Sequence, residues 1–355
     1  MDEGENRQLV VIGVDTHKDL HVAVALDALG VRLGQLLIPA TTAGYAQLEQ
    51  WGRAHGTPTA FGVEGTGSYG AGLTRFLRQR DYRVVEVNRP DRTARHRQGK
   101  TDPLDAEAAA RAVLAGVATA VPKAGDGTVE LIRVLKVARD TAVRARSQAL
   151  ITLKTLLVTA PAELREELAG LADTALLHRC AGLRPGAVTT PQAAAKHALR
   201  ALAHRWLDLH REVHLHDGEL DRLTQEQAPE LRAAFGVGPD TAAELLIVVG
   251  DNPRRVHSEA AFAALCGVAP LPASSGQTMR HRLNRGGHRH ANAALYRVVI
   301  VRMRWHPATL AYTKRRLAEG KTKAEIIRCL KRYVAREAFR HLLHRSGVDA
   351  SPPAA

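Results

Sequence analysis

Two groups of residues in this sequence have the types and spacing for phosphodiester chemistry. The first lies in LPASSGQTMRHRLNRGGHRHAN, Leu271 to Asn292, where Ser274 and Ser275 precede Gly276 and are followed by Arg280, Arg282, Arg285 and Arg289. A hydroxyl nucleophile among fixed cations, on a chain broken by Gly276, Gly286 and Gly287, suits attack on a phosphate whose developing charge the guanidiniums neutralise. The second group is acidic: Asp15 in VIGVDTHKD, Glu64 in VEGTGSYG, and Asp102 and Asp105 in KTDPLDA. If these carboxylates converge, they can hold one or two Mg²⁺ (or Mn²⁺) ions, hard cations that take oxygen ligands and bind phosphate oxygens beside them.

Convergence depends on the elements that carry the acids. Leu9 to Ile38 reads as three strands (LVVIGVD, LHVAVALD, VRLGQLLIP) separated by short turns. The pattern then predicts a helix over Ala43 to His55, a strand TAFGVEG, a helix over Gly72 to Gln79, a strand YRVVEVN and a further helix. Three meandering strands followed by alternating helix and strand predict an α/β domain on a mixed sheet, as in ribonuclease H-like folds. On that scheme Asp15 and Glu64 close neighbouring strands at one sheet edge, and Asp102 and Asp105 share one face of the next helix. The pair in TDPLD also has a purely local reading: with Pro103 at the first helical position, Asp102 is the N-cap and Asp105 is favoured by the helix dipole. An acid closing an apolar strand has no comparable local role, and this tips the quartet toward metal binding. His17, Lys18 and His21 follow Asp15 closely enough to approach a phosphate or to sit on the surface. The basic run RPDRTARHRQGK, ending at Lys100, suits a nucleic-acid strand or an ordinary solvated loop.

Beyond this region, Leu131, Leu135, Ala138, Ala142, Ala145, Ala149, Thr152 and Leu156 alternate four and three apart. That heptad seam with a small-residue middle predicts close helix pairing, within the chain or between protomers. A second helix opened by Thr190-Pro191 and running to about Gln227 is a candidate partner. Its histidines read mostly as surface residues. GVGPDTA, with Gly236 and Gly238, resembles the hairpin of a helix-hairpin-helix element, whose backbone N–H groups meet DNA phosphates; similar turns also merely join helices. Ala291 to Arg304 and Lys321 to Leu343 read as basic amphipathic helices, and SGVDASPPAA as a disordered tail.

The charge distribution agrees with a nucleic-acid partner. Of a formal +14 over 355 residues, the stretch from Gly276 to Arg345 carries 18 Lys and Arg against three acids, so the rest of the chain is near neutral. Cys180, Cys266 and Cys329 are too scattered for a disulfide framework or a zinc pattern, which reads as core thiols in a reducing compartment. With a polar, acidic start and no apolar run of membrane-spanning length, the expectation is a cytoplasmic protein, nucleoid-associated when bound to DNA.

Taken in order, these motifs and the later text RMRWHPATLAYTKRRLAEGKTKAEIIRCLKRYVARE resemble the DEDD transposases of the IS110 insertion-sequence family, bridge-RNA-guided recombinases. The resemblance covers nearly the whole chain and is weakest from about Pro161 to Glu230. It implies a RuvC-like domain over 1–124, a helical coiled-coil linker over 125–229, a mainly helical transposase domain over 230–345 and a tail over 346–355. It also implies a metal quartet of Asp15, Glu64, Asp102 and Asp105, with Ser275, the serine immediately before the glycine, as nucleophile in preference to Ser274. Lys100, Gly236, Gly238, Arg280, Arg282, Arg285 and Arg289 are the candidate nucleic-acid contacts. The implied partners are donor and target DNA, an element-encoded guide RNA that pairs with both, and further copies of the chain, dimers assembling into a tetramer. A metal-dependent structure-selective nuclease, with Ser275 only a turn residue, and a non-catalytic nucleic-acid-binding protein are the competing readings.

The serine separates these readings. Ser275→Ala should abolish a covalent protein–DNA adduct on denaturing gels while leaving DNA binding intact; strand cleavage retained in that variant would defeat the recombinase reading.

Overall fold

The alternation in LVVIGVDT sends Val10, Ile12 and Val14 to one side of a sheet and Val11 and Gly13 to the other, and helices cover both sides. A computed structural model describes residues 8–87, 101–273 and 281–343. Its first elements are β1 (Leu9–Thr16), β2 (Leu20–Asp27), β3 (Arg32–Pro39), α1 (Thr42–His55), β4 (Thr57–Glu64), α2 (Ala71–Arg78), β5 (Val84–Val87) and α3 (Asp102–Leu114). The strands form one sheet in the order β3-β2-β1-β4-β5. Within it β2 runs antiparallel to β1 and β3, while β4 is parallel to β1 and β5. This is the mixed ribonuclease H-like sheet expected from the strand–helix order.

Two apolar layers hold this sheet. On one face Ile12, Phe61 and Val63 meet Leu48 of α1 and Leu73 and Leu77 of α2. On the other, Val11, Val24 and Ala60 meet the alanine face of α3, Ala106, Ala109 and Ala110. The second layer is thin because glycines face it. A Cβ on Gly13 would stand 2.0 Å from the Ala106 carbonyl oxygen and 2.4 Å from the Ala110 amide nitrogen, and one on Gly62 2.9 Å from the Ala109 carbonyl. The helix therefore rests directly on the two central strands.

The contacts divide the chain into two units, Met1–Gly127 with Val249–His257 and Thr128–Val248 with Ser258–Ala355. In the first, the short returning segment is stitched to the irregular segment following α3. Asn252 accepts from the Ala124 amide at 3.0 Å and donates to the Pro122 carbonyl at 2.9 Å, and Arg255 donates to the Val121 carbonyl at 3.0 Å.

The second unit is helical, with α4 (Thr128–Val158), α5 (Ala162–Leu168), α6 (Asp173–Ala181), α7 (Pro191–Gln227), α8 (Pro229–Ala233) and α9 (Pro239–Val249). They are followed by α10 (Glu259–Leu265), a two-residue ribbon β6 (Leu271–Pro272) and β7 (His281–Arg282), α11 (Arg289–Trp305), α12 (Pro307–Ala318) and α13 (Lys323–Leu343). The two long helices run antiparallel: Arg139 of α4 bonds Asp217 of α7 at 2.8 Å, Arg146 meets His210 at 2.9 Å, and Leu153 packs with Ala203. The partner expected of the seam thus lies within the chain, but the seam differs from expectation at its ends. Ala142 and Ala149 are buried, whereas Leu131 and Leu156 are exposed and Ile132, Lys136 and Leu153 are buried instead. A straight α-helix drifts by about 20° per heptad from a strict seven-residue repeat. A seam drawn through the middle therefore leaves the interface at both ends.

Lys136 is the least expected member of that interface. Its ammonium is nearly buried and meets Asp140 at 2.5 Å, Asp240 at 3.0 Å and Glu244 at 3.0 Å, tying α4 to α9. Burial by itself lowers its pKa, but hydrogen bonds to Asp140 and Asp240 and the nearby Asp240 and Glu244 charges outweigh that and raise it above the ordinary lysine value.

Gly13→Ala forces α3 off the sheet and should cost about 1–3 kcal/mol, read as a lower urea midpoint. Gly238→Ala, whose Cβ meets nothing within 4 Å, should leave the midpoint nearly unchanged.

Candidate active site

Asp15 sits one residue from the end of β1 and is 7% exposed. The parallel register pairs Val14 with Val63, which brings Asp15 beside Glu64 at the end of β4. The two strand ends are clamped by the Thr16 hydroxyl, which donates to the Glu64 carbonyl at 2.8 Å. Gly65 makes the clamp possible: it takes the left-handed φ of +68° as the chain leaves β4, and a Cβ there would crowd the Thr16 oxygen at 3.2 Å. By alternation from Gly13 and Gly62, Asp15 and Glu64 belong to the α3 side of the sheet.

The first turn of α3 meets the same edge. Its N-cap is Thr101, an extended residue with φ −136° and ψ 146°, whose carbonyl accepts from the Leu104 and Asp105 amides at 3.0 and 3.1 Å.

 The helix thus begins one residue earlier than the sequence suggests, and Asp102 is its first helical residue rather than its cap. No side-chain capping bond is made at this end. Freed from that role, the Asp102 carboxylate reaches His17, whose Nε2 lies 3.4 Å from Asp102 Oδ2 and 3.3 Å from Asp15 Oδ2. Asp105, one turn along on the side of α3 that faces the sheet, is 7% exposed. The positive end of the helix dipole offsets part of the repulsion among these acids.

Among the described residues, Asp15, His17 and Asp102 form a group whose ligand atoms all lie within 4.8 Å of one another. Two carboxylate oxygens and an imidazole nitrogen suit a hard or borderline divalent cation, Mg²⁺ through the oxygens and Mn²⁺ through all three. Glu64 and Asp105 stand at the same edge but outside that tight group. His17 is one of several residues close behind Asp15 that could approach a phosphate; its sequence signal is its place two residues after Asp15, in the β1–β2 turn. His21 differs from expectation. It is fully buried, stacked on Tyr45 with ring centroids 5.8 Å apart, and burial lowers its pKa, so it is a neutral core residue rather than a phosphate contact.

In the C-terminal region the cations divide into two kinds. Arg302 is nearly buried, bonds both Glu337 oxygens at 2.6 and 2.9 Å and donates to the Phe235 carbonyl at 2.8 Å. Arg332 and Arg336 pair with Glu259, and Arg297 with Asp240. These four hold the helices together. Arg282 in β7, Arg285 and Arg289 are exposed, and no ion pair joins them to a carboxylate among the described residues. Gly236 has a φ of +79°, and Gly238 immediately precedes α9 in open space. Ser275, Arg280 and Lys100 lie outside the described residues, as does Ser274. No helix among the described residues is long and apolar enough to cross a membrane.

Comparison with known proteins finds two family models that match this chain. A transposase model of the DEDD, IS110 type matches residues 12–160, which include all four acids and α3, and a model described as the transposase IS116/IS110/IS902 family matches residues 228–314, which include Ser275. The chain is also 32% identical over 131 residues to the uncharacterized 43.6 kDa protein of insertion element IS110 from Streptomyces coelicolor. That alignment covers 36% of this chain and 31% of the relative.

Mn²⁺ titrated into the protein and followed by its paramagnetic resonance signal should bind at least about tenfold more weakly to Asp15→Asn. Equal affinity in the variant and the parent would remove Asp15 from any metal site.

Proposed function

The chain belongs to the transposase family of the IS110, IS116 and IS902 insertion sequences, and we propose from that membership that it breaks and rejoins DNA strands to move such an element. The observation that carries this reading is the meeting of Asp15, His17 and Asp102 at the edge where β1, β4 and the start of α3 come together. Strand order, register and the glycine-lined approach of α3 all contribute to that edge.

In this reading Asp15, Glu64, Asp102 and Asp105 hold Mg²⁺ or Mn²⁺, with His17 as a further donor. A bound divalent ion supplies a Lewis acid that withdraws charge from a phosphate oxygen. The Ser275 oxygen attacks the phosphorus, the Oγ–P bond forms and the P–O3′ bond breaks. Overall, the hydroxyl proton moves to the departing 3′ oxygen. The 5′-phosphoserine link keeps the bond energy, so a new 3′ hydroxyl can displace the serine without ATP. Arg280, Arg282 and Arg285 neutralise charge on the non-bridging oxygens of the pentacoordinate phosphorus, and Lys100, Arg289 and the Gly236–Gly238 turn hold the backbone.

The choice of DNA sequence falls, in this proposal, to an element-encoded RNA that pairs with donor and target strands, while the protein reads backbone and shape. Acids and serine come from different chains of a dimer that assembles further into a tetramer. Support for assembly comes from α4, whose outward side carries the exposed apolar residues Val134, Val137, Ile151 and Val158 at heptad-compatible spacing.

Excision of a plasmid-borne element tests the proposal. Asp15→Asn and Ser275→Ala should each abolish excision alone, and their co-expression should restore part of it if acids and serine act in trans. Unchanged excision in Asp15→Asn would sink the metal-site mechanism.

A further inference from the structure

Beside β7, the second unit contains a cavity of about 540 Å³ between the loop after α10 and one side of α13. Its walls are of two kinds. Val268, Pro270, Leu283 and the Tyr333 ring are apolar, whereas Arg282, Arg328, Lys331 and Arg332 bring positive charge. Arg332 is neutralised by Glu259. Among the described residues no ion pair joins Arg282, Arg328 or Lys331 to a carboxylate, and no acid lines the cavity. Three uncompensated cations around one hollow select an anion.

The cavity is also preorganised. Asn292 donates to the Cys266 and Gly267 carbonyls, both at 3.0 Å, and so fixes the loop that forms one wall. Its side-chain oxygen accepts from Lys331 Nζ at 2.9 Å, which aims the ammonium while leaving its charge unneutralised. Burial, aided by the Arg328 charge, lowers the Lys331 pKa, and a bound anion would relieve that cost. Tyr333 is 49% exposed and is braced edge-on by Tyr312, with ring centroids 5.8 Å apart. A braced aromatic face beside cations is the arrangement that holds an unpaired base and its phosphate. The volume lies within the roughly 300–1,000 Å³ of small-ligand sites, enough for one nucleotide and far too small for a duplex.

We propose that this cavity binds a single nucleotide of an unpaired strand, its phosphate against Arg282, Arg328 and Lys331 and its base against Tyr333 and Leu283. The inference rests on the reading of the chain as a nucleic-acid recombinase and adds the α13 residues Arg328, Lys331 and Tyr333 to its contacts. The shared chemistry is a phosphodiester with its base, and the strand is either DNA substrate or guide RNA.

The test uses the full chain with a single-stranded thymidine oligodeoxynucleotide and, separately, a uridine oligoribonucleotide. Fluorescence anisotropy over a salt series should show Arg328→Gln binding about tenfold more weakly, with the slope of log affinity against log salt reduced by about one. Tyr333→Leu should weaken binding at least about fivefold with the slope unchanged, and Tyr333→Phe should bind like the parent. Cys329 lines the cavity, while burial pushes the Cys180 and Cys266 thiols up to about 11 and about 12, so iodoacetamide at neutral pH reports on Cys329. Stronger protection of Cys329 by the DNA identifies a substrate strand, and stronger protection by the RNA a guide strand. Parental binding by Arg328→Gln and Tyr333→Leu, with Cys329 alkylated equally fast in the presence of either strand, would overturn the cavity assignment. If Ser275-dependent cleavage persisted in that case, the recombinase reading would stand and only the cavity would fail; a chain that neither binds nor cleaves nucleic acid would lose both.

Discussion

The contact between α3 and the two central strands is the constraint on which the acidic site depends. Gly13 and Gly62 leave no side chain between sheet and helix, so the α3 backbone lies against β1 and β4. That approach sets the height of the first helical turn relative to the strand ends. With a methyl group at either glycine, α3 would move outward and carry Asp102 and Asp105 away from Asp15 and Glu64. The apolar layer and the acidic edge are thus one construction: Ala106, Ala109 and Ala110 bury the helix, and Asp102 and Asp105 stand in its first turn.

A different constraint governs the C-terminal helices, where positive charge is abundant and its use is divided. Arg302 with Glu337, and Arg332 and Arg336 with Glu259, are internal ties, because a guanidinium can satisfy two carboxylate oxygens and a carbonyl at once. The Glu337 carboxyl is held below its ordinary range chiefly by the Arg302 hydrogen bonds. What remains for a polyanion is a smaller set around β7 and the facing side of α13. Net charge gathers most of the cations in the C-terminal part of the chain, but pairing decides which of them are available to a polyanion.

Much of the architecture was legible in the chain because its signals are local. Period-two strands, the Thr190-Pro191 helix start and the basic amphipathic stretches each depend on neighbours in sequence, and they recur as β1 to β4, α7, α11 and α13. The readings that changed were those that depended on exact phase. Asp102 as N-cap gave way to Thr101 by one residue, and the α4 seam held at Ala142 and Ala149 but slipped at Leu131 and Leu156. The helix α12, opened by Pro307 after the His306 cap, was not anticipated between the two basic helices.

By itself, the sequence determined which groups are present to do chemistry: carboxylates closing apolar strands, a serine before a glycine, and arginines gathered at the C-terminal end. Residue type and short spacing carry that information, since donor atoms and charge belong to the side chains themselves. Only the tertiary structure decided that His17 stands between Asp15 and Asp102, that His21 is core, and that Lys136 is buried among three acids. Those outcomes depend on strand register and on how closely a helix can approach a sheet, and both are set by contacts between residues far apart in the chain.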